Sequence, residues 1–448
     1  MPKQPSGRRK FLQTAGAASA ALAFPYIRTS YAAGSLSVGF WDHWVPGANN
    51  ALTQVCQAWA AREKVDLKID YITTQGNKLQ LVGTSEAQAK AGHDLLAFLA
   101  WDPLEKANQL EPMDDVIGAL EKQYGKVVPA MEYLGRKNGH WIAVPSPTGT
   151  QVKPPCARLS VWKQAAGIDF QAMYPAGQKP SAEADNWTWD ALLKAAPKVQ
   201  QAGHPIGLGL GQTTDSIDWV GALFHSFGAD LVDAKGSILV KSNDAVRQVL
   251  EYMQQLVKYL PPDVFAWDDA SNNKYLISGQ GSMIMNPPSA WSVAKRDNPK
   301  VAEDCWTFSM PKGPKGRFVG YLPIILGTWK FSKNKSAAKS LLHELWQRQN
   351  VEKYDNASNG YDVPSFASMR DFRIWEEVAP PKGTVYHYPP REDVTTWVSG
   401  APAPSNVANQ MYVQSIMTKM IARCTQGGES IPKTLDWAAS EIEGYART

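Results

Sequence analysis

The feature that most constrains this chain is a hydrophobic period that keeps switching. Leu36, Val38 and Phe40 alternate, as a strand requires; Leu52, Val55, Cys56 and Trp59 then recur at i, i+3, i+4 and i+7, one face of a helix over Ala48–Arg62. Val65, Leu67, Ile69 and Tyr71 alternate again. A helix is expected over Leu79–Lys90, a buried strand over the apolar run Leu95–Ala100, and the start of another helix over Pro103–Gln109. A β-α-β-α-β order predicts parallel strands joined by crossover helices, so the expected class is α/β, doubly wound. The pattern resumes with a strand at Ile206–Leu210 and a helix at Ile217–Phe227 closed by Gly228. An amphipathic helix follows at Asn243–Tyr259, a strand at Met283–Met285, extended chain at Trp306–Met310 and Phe318–Trp329, and a helix at Ala337–Gln349. Two loop-rich stretches, Tyr174–Asn186 and the proline-rich Ala379–Ser405, interrupt it.

The N-terminus reads differently. Gly7-Arg8-Arg9-Lys10-Phe11-Leu12 precedes a short Ala-rich apolar run and the small residues Ser30-Tyr31-Ala32-Ala33. Basic region, apolar run and small-x-small site come in the order of a signal peptide, and Arg-Arg-x-Phe-Leu resembles the twin-arginine export signal. Residues 1–33 are therefore expected to be removed and the product to be periplasmic. Those residues carry five basic side chains and no acid, so a formal net charge of +4 becomes −1 without them. No basic run remains to hold a phosphate backbone, so no nucleic-acid partner is expected. No later segment has the roughly 20 apolar residues of a membrane span. The four cysteines, Cys56, Cys156, Cys305 and Cys424, form no CxxC and read as buried thiols, although three pairings are open to them.

Motifs of catalysis and cofactor binding are missing. His343-Glu344 starts an HExxH-like string, but Gln347 stands where the second His is needed. GxSxG and the phosphate-binding GxxxxGK[ST] do not occur, and the seven His have no metal-ligand spacing. Neither a cofactor nor a metal is expected. Open α/β sheets bind ligands beyond the carboxyl ends of their strands. Those positions here hold Trp41-Asp42-His43-Trp44, Trp101-Asp102, Asp215 with Trp219, and Trp291. Aromatic residues beside carboxylates suit a sugar, whose ring faces stack on indole and whose hydroxyls need planar acceptors. Each Trp alone could equally be core, and Asp102 could cap a helix. Trp59, Trp189, Trp346 and Trp375 lie on helix faces and read as packing.

Several short motifs fall in an order similar to that of the extracellular solute-binding proteins of ABC sugar importers, the maltose-binding-protein-like family. Ala91-Gly92-His93-Asp94-Leu95 resembles the family's Gly-x-Pro-Asp-Val, with His93 in the proline's place. Gln109-Leu110-Glu111-Pro112-Met113-Asp114, Asn138-Gly139-His140-Trp141-Ile142-Ala143-Val144-Pro145 and Trp187-Thr188-Trp189-Asp190 resemble further pieces. So do Gly279-Gln280-Gly281-Ser282-Met283, Met310-Pro311-Lys312-Gly313-Pro314-Lys315-Gly316 and Gly360-Tyr361-Asp362-Val363-Pro364. Val152-Lys153-Pro154-Pro155-Cys156 departs from the family, standing where a Tyr-rich strand is common.

The resemblance implies a two-lobed periplasmic binding protein fold with three crossovers. One lobe would be 34–145 plus 322–362 and the other 146–320 plus 365–448. It implies a monomer that captures a small-molecule solute in the cleft and hands it to ABC permease transmembrane subunits. The cleft residues it singles out, together with the strand ends, are Trp41, Asp42, His43, Trp44, Trp101, Asp102, Asp215, Trp219, Trp291, Tyr321 and Tyr361. An exported carbohydrate-active enzyme, or a binding protein for a polyamine or other charged solute, remains open at this point.

Overall fold

The structure, a computed structural model, describes residues 34–175, 179–286, 289–377 and 394–447. The expected signal peptide and parts of both loop-rich stretches lie outside the described residues. β1 (Ser35–Trp41) sends Leu36, Val38 and Phe40 into the core. α1 (Pro46–Glu63) buries Leu52, Val55, Cys56 and Trp59 and stops where Lys64 turns left-handed. β2 (Asp66–Ile72), mostly half-exposed, is an edge strand, and α2 (Lys78–Ala89) packs back toward β3 (Leu95–Leu99). β3 is buried at every position, as a strand covered on both faces must be. β1 pairs parallel with both neighbours, Val38 opposite Leu95 and opposite Ile69.

β4 (Val144–Pro145), β5 (Gln151–Val152) and β6 (Pro155–Arg158) follow one another closely yet join three different sheets. The later strands are β7 (Met283–Met285), β8 (Cys305–Thr307), β9 (Phe318–Leu322), β10 (Ile324–Thr328) and β11 (Thr395–Trp397). The first sheet runs β2-β1-β3-β10-β4, the second β8-β6-β7 and the third β11-β9-β5. The fold is thus α/β and two-lobed, with a mixed first sheet in which β10 lies antiparallel to β3. The second ladder is antiparallel throughout. Ile206–Leu210, expected as a strand, runs extended beside it: Gly207 N donates to Met283 O (2.8 Å), but no ladder forms. Gly207, Gly209 and Gly211 supply no side chains to hold a register.

Two connections join the first sheet to the third. Residues 146–150 link β4 to β5, and Pro323 alone separates β9 from β10, breaking the long extended segment expected over Phe318–Trp329. Residues 361–364 lie against them, with Val363 N donating to Thr150 O (2.8 Å) and Gly149 N to the Asp362 carboxylate (2.5 Å).

Helices of the second lobe carry readable caps. Thr188 caps α3 (Trp189–Gln201), and Thr213 caps α4 (Thr214–Phe227). Gly228, at φ 78°, closes α4 as expected, and Asn243 caps α5 (Asp244–Leu256). The single helix expected over Ala337–Gln349 is two, α6 (Lys335–Leu345) and α7 (Arg348–Ala357). The break falls at Trp346, whose indole donates to Pro145 O (2.8 Å). α8 (Ser405–Val413) begins the C-terminal helical segment. The four cysteines are free thiols and buried. Among the described residues no helix is long and apolar enough to cross a membrane.

Candidate functional site

The carboxyl ends of β1, β2 and β3 open onto a narrow cavity of about 10 Å³. Trp41 ends β1, Trp44 and Thr74 lie just beyond β1 and β2, and Leu99 ends β3. The connecting strands contribute Gln151, Leu322 and Ile324. The opposite wall is Thr214 and Asp215, in the first turn of α4, and Asp269 from the loop before the helix Ser271–Ile277. The cavity therefore sits between the first sheet and α4, where a solute would touch both lobes.

Trp41 is 4% exposed, and its indole N–H has no partner among the described residues. Tyr361 supports it from behind: the rings stack at 6.3 Å and 24°, and Tyr361 OH donates to Gln151 Oε1. Gly149, at φ +88°, lets the chain pass this close, because a Cβ there would fall 2.6 Å from the Trp41 ring. His43 lies 4.8 Å from Trp41. Its Nδ1 accepts from Val45 N (2.8 Å), so Nε2 carries the proton that it donates to Asp362 (3.1 Å).

The acidic wall is held by one base. Lys153, fully buried, donates to Asp215 and lies 3.3 Å from Asp218. Asn272 Nδ2 donates to the second Asp215 oxygen (2.9 Å), and Tyr412 OH to Asp218 (3.2 Å). Asp269 accepts from Asp215 N (3.1 Å) and Thr214 Oγ1 (3.2 Å), which places its charge at the amino end of α4. Burial pushes the Asp218 carboxyl up to about 7 even though Lys153 pulls it down. Asp215 is raised for the same reason, against Lys153 and with the Asp269 charge adding to the rise. Burial lowers the Lys153 ammonium, and the attraction of the three carboxylates more than reverses this.

Of the residues expected in the cleft, Trp41, Trp44 and Asp215 line this cavity, and His43 and Tyr361 back it. Asp42 points away: it is exposed and accepts from Asn49 (2.8 Å). Trp101 is sealed, its N–H on Ser399 O (3.0 Å) and its ring edge-on to Tyr133. Asp102 does not cap a helix; one oxygen accepts from Leu99 N (3.4 Å), and burial pushes it up to about 6. Trp219 is core, donating to Gly209 O (2.8 Å) beside Trp189. Trp291 is buried under the Lys295 ammonium at 4.7 Å, and Tyr321 is buried with its hydroxyl 3.5 Å from Ser365. Thr74, Leu99, Gln151, Thr214, Asp269, Leu322 and Ile324 line the cavity without having been expected. Thr74 and Thr214 each follow a predicted strand end closely, the one signal that could have found them. Among the described residues no three His, Cys, Asp or Glu are grouped to hold a metal ion.

A cavity closed by strand ends on one side and a helix start on the other, with two connected α/β lobes around it, defines the class of two-lobed solute-binding proteins. The chain belongs to the bacterial extracellular solute-binding proteins: that family's model matches residues 54–380. Solved structures share the fold. Maltose-bound MalE3 of T. maritima is 19% identical with a TM-score of 0.72, over 92% of this chain and 99% of that one. A sugar transporter from Arthrobacter chlorophenolicus A6 with bound laminaribiose is 14% identical (TM-score 0.71; 92% and 99%). A solute-binding protein from Agrobacterium vitis S4 with bound D-mannitol is 17% identical (TM-score 0.65; 93% and 99%). Comparison with curated protein sequences finds no significant match.

Proposed function

We propose that this protein captures a sugar or related polyhydroxylated solute between its lobes and delivers it to an ABC permease. The observation that carries the reading is the cavity itself, with two indoles on one wall and two carboxylates on the other. Indole faces take the apolar faces of a sugar ring, and carboxylates accept from its hydroxyls more strongly than neutral groups do. The sugars and polyol bound by the structural neighbours support the same class. On this reading the lobes are 34–145 plus 322–362 and 146–320 plus 365–448. The chain acts as a monomer without catalysis, and a twin-arginine signal sends it to the periplasm. A binding site uses the same geometry that closes on the ligand and then opens to release it, so no reacting group is required.

A thermal-shift screen over monosaccharides, disaccharides and polyols tests this, because a ligand that binds only the folded state raises the melting temperature saturably. At least one sugar or polyol is expected to do so. Trp44→Ala, at a half-exposed position, should then weaken that ligand about ten-fold. A screen with no saturable rise refutes the reading.

A further inference from the structure

The charge of the cavity wall goes beyond what a neutral sugar asks for. Lys153 is shared between Asp215 and Asp218, and Asp269 stands beside them, so three carboxylates meet one ammonium. The amino end of α4 adds about half a positive charge, and with Asp215 and Asp269 ionised the wall stays negative. Among the described residues no Lys, Arg or His lines the cavity to balance it. On the facing wall stand the indoles of Trp41 and Trp44, the ring type that best attracts a desolvated cation. The unpaired N–H of Trp41, nine-tenths buried and more, needs an acceptor such as a hydroxyl or ring oxygen.

We infer that the solute carries a basic nitrogen on its hydroxylated frame: an amino sugar, with the ammonium toward Asp215 and Asp269 and a hydroxyl or ring oxygen toward Trp41. This rests on the sugar reading above and narrows it. A neutral sugar would leave the surplus carboxylate charge partly dehydrated and uncompensated when the cleft closes. An ammonium replaces the lost water with a charge-assisted hydrogen bond.

The test is calorimetric titration of the full mature chain with glucosamine, N-acetylglucosamine, glucose and their β-1,4-linked disaccharides, with putrescine as a cation lacking hydroxyls. The amino form should bind at least about ten-fold more tightly than its N-acetyl and neutral counterparts, the gain of one hydrogen bond to a charged partner. In Asp269→Asn, whose side-chain oxygen still accepts from Asp215 N, that preference should shrink below about three-fold. Neutral sugars binding as well as or better than amino sugars overturns the inference and leaves the sugar function standing. Putrescine binding where no sugar binds overturns both the inference and the function. No binding by any sugar on this panel or in the thermal-shift screen does the same.

Discussion

Lys153 decides the charge state of the whole acidic wall, and it does so from complete burial. Removing one member of a buried ion pair strands the others, at a cost of about 3–5 kcal/mol. Lys153→Met keeps the length of the side chain and deletes the charge, so urea denaturation should show a loss of that size. A loss under about 1 kcal/mol would mean that Asp215 and Asp218 are already neutral in the folded protein. The residue scale is also where the sequence is least legible. Trp41 and Asp215 can be read from their places just beyond a strand. Trp219 cannot be told from them, because α4 is buried on nearly every side and a buried helix has no polar face to orient the reading. Lys153 is visible in the sequence only as a departure from a familial pattern. Its meaning comes from Asp215 and Asp218, which lie more than sixty residues away in the chain.

At the scale of elements, His93 ties three together. It precedes β3, bonds Glu86 of α2 through Nδ1 (2.5 Å) and Asp70 of β2 through Nε2 (3.1 Å). Glu86 in turn accepts from the Trp329 indole (2.9 Å). The hydrogen bond that His93 donates to Glu86, opposed by partial burial, raises the His93 pKa above its ordinary 6.5. A raised folded-state value means that the ionised pair stabilises fully below pH 6.5, and that this is lost as pH climbs through the folded value. His93→Gln should therefore lower the melting temperature more at pH 5.5 than at pH 9. Equal losses at both pH values would show that packing alone is at stake. Elements with strict periodicity, such as β1, α1 and α2, follow the sequence to within a few residues. The α6–α7 break does not, because it depends on Trp346 reaching Pro145, two hundred residues back along the chain. The C-terminal helices repeat the same apolar spacing, with Ile416, Met420, Ile421 and Cys424 on one face of Ile416–Cys424, but were not anticipated from sequence.

The whole molecule raises the question of what holds the lobes together. The chain from 397 to 409 packs on α4, where Ser399 Oγ donates to Ile217 O (2.9 Å), yet it also reaches across to the first lobe. Trp101 donates to Ser399 O, Tyr133 OH to Ala403 O (2.6 Å), Lys137 to Ser405 Oγ (3.2 Å), and Asn409 to Glu105. These four contacts lie outside the cavity and, on the proposed lobe division, run between the lobes. Bonds that run between the lobes favour the closed arrangement, and Trp101 gives its N–H to one of them. Tyr133→Phe and Asn409→Ala each delete one such bond, worth about 0.5–1.5 kcal/mol net. Since apparent affinity scales with the fraction of closed-competent molecules, the double variant should bind its solute about five- to a hundred-fold more weakly. Small-angle scattering of the ligand-free double variant should give a larger radius of gyration than the wild type, and saturating solute should erase the difference. An unchanged dissociation constant with an unchanged radius would show that the hinge strands β4–β5 and β9–β10, not this bridge, set the closed geometry.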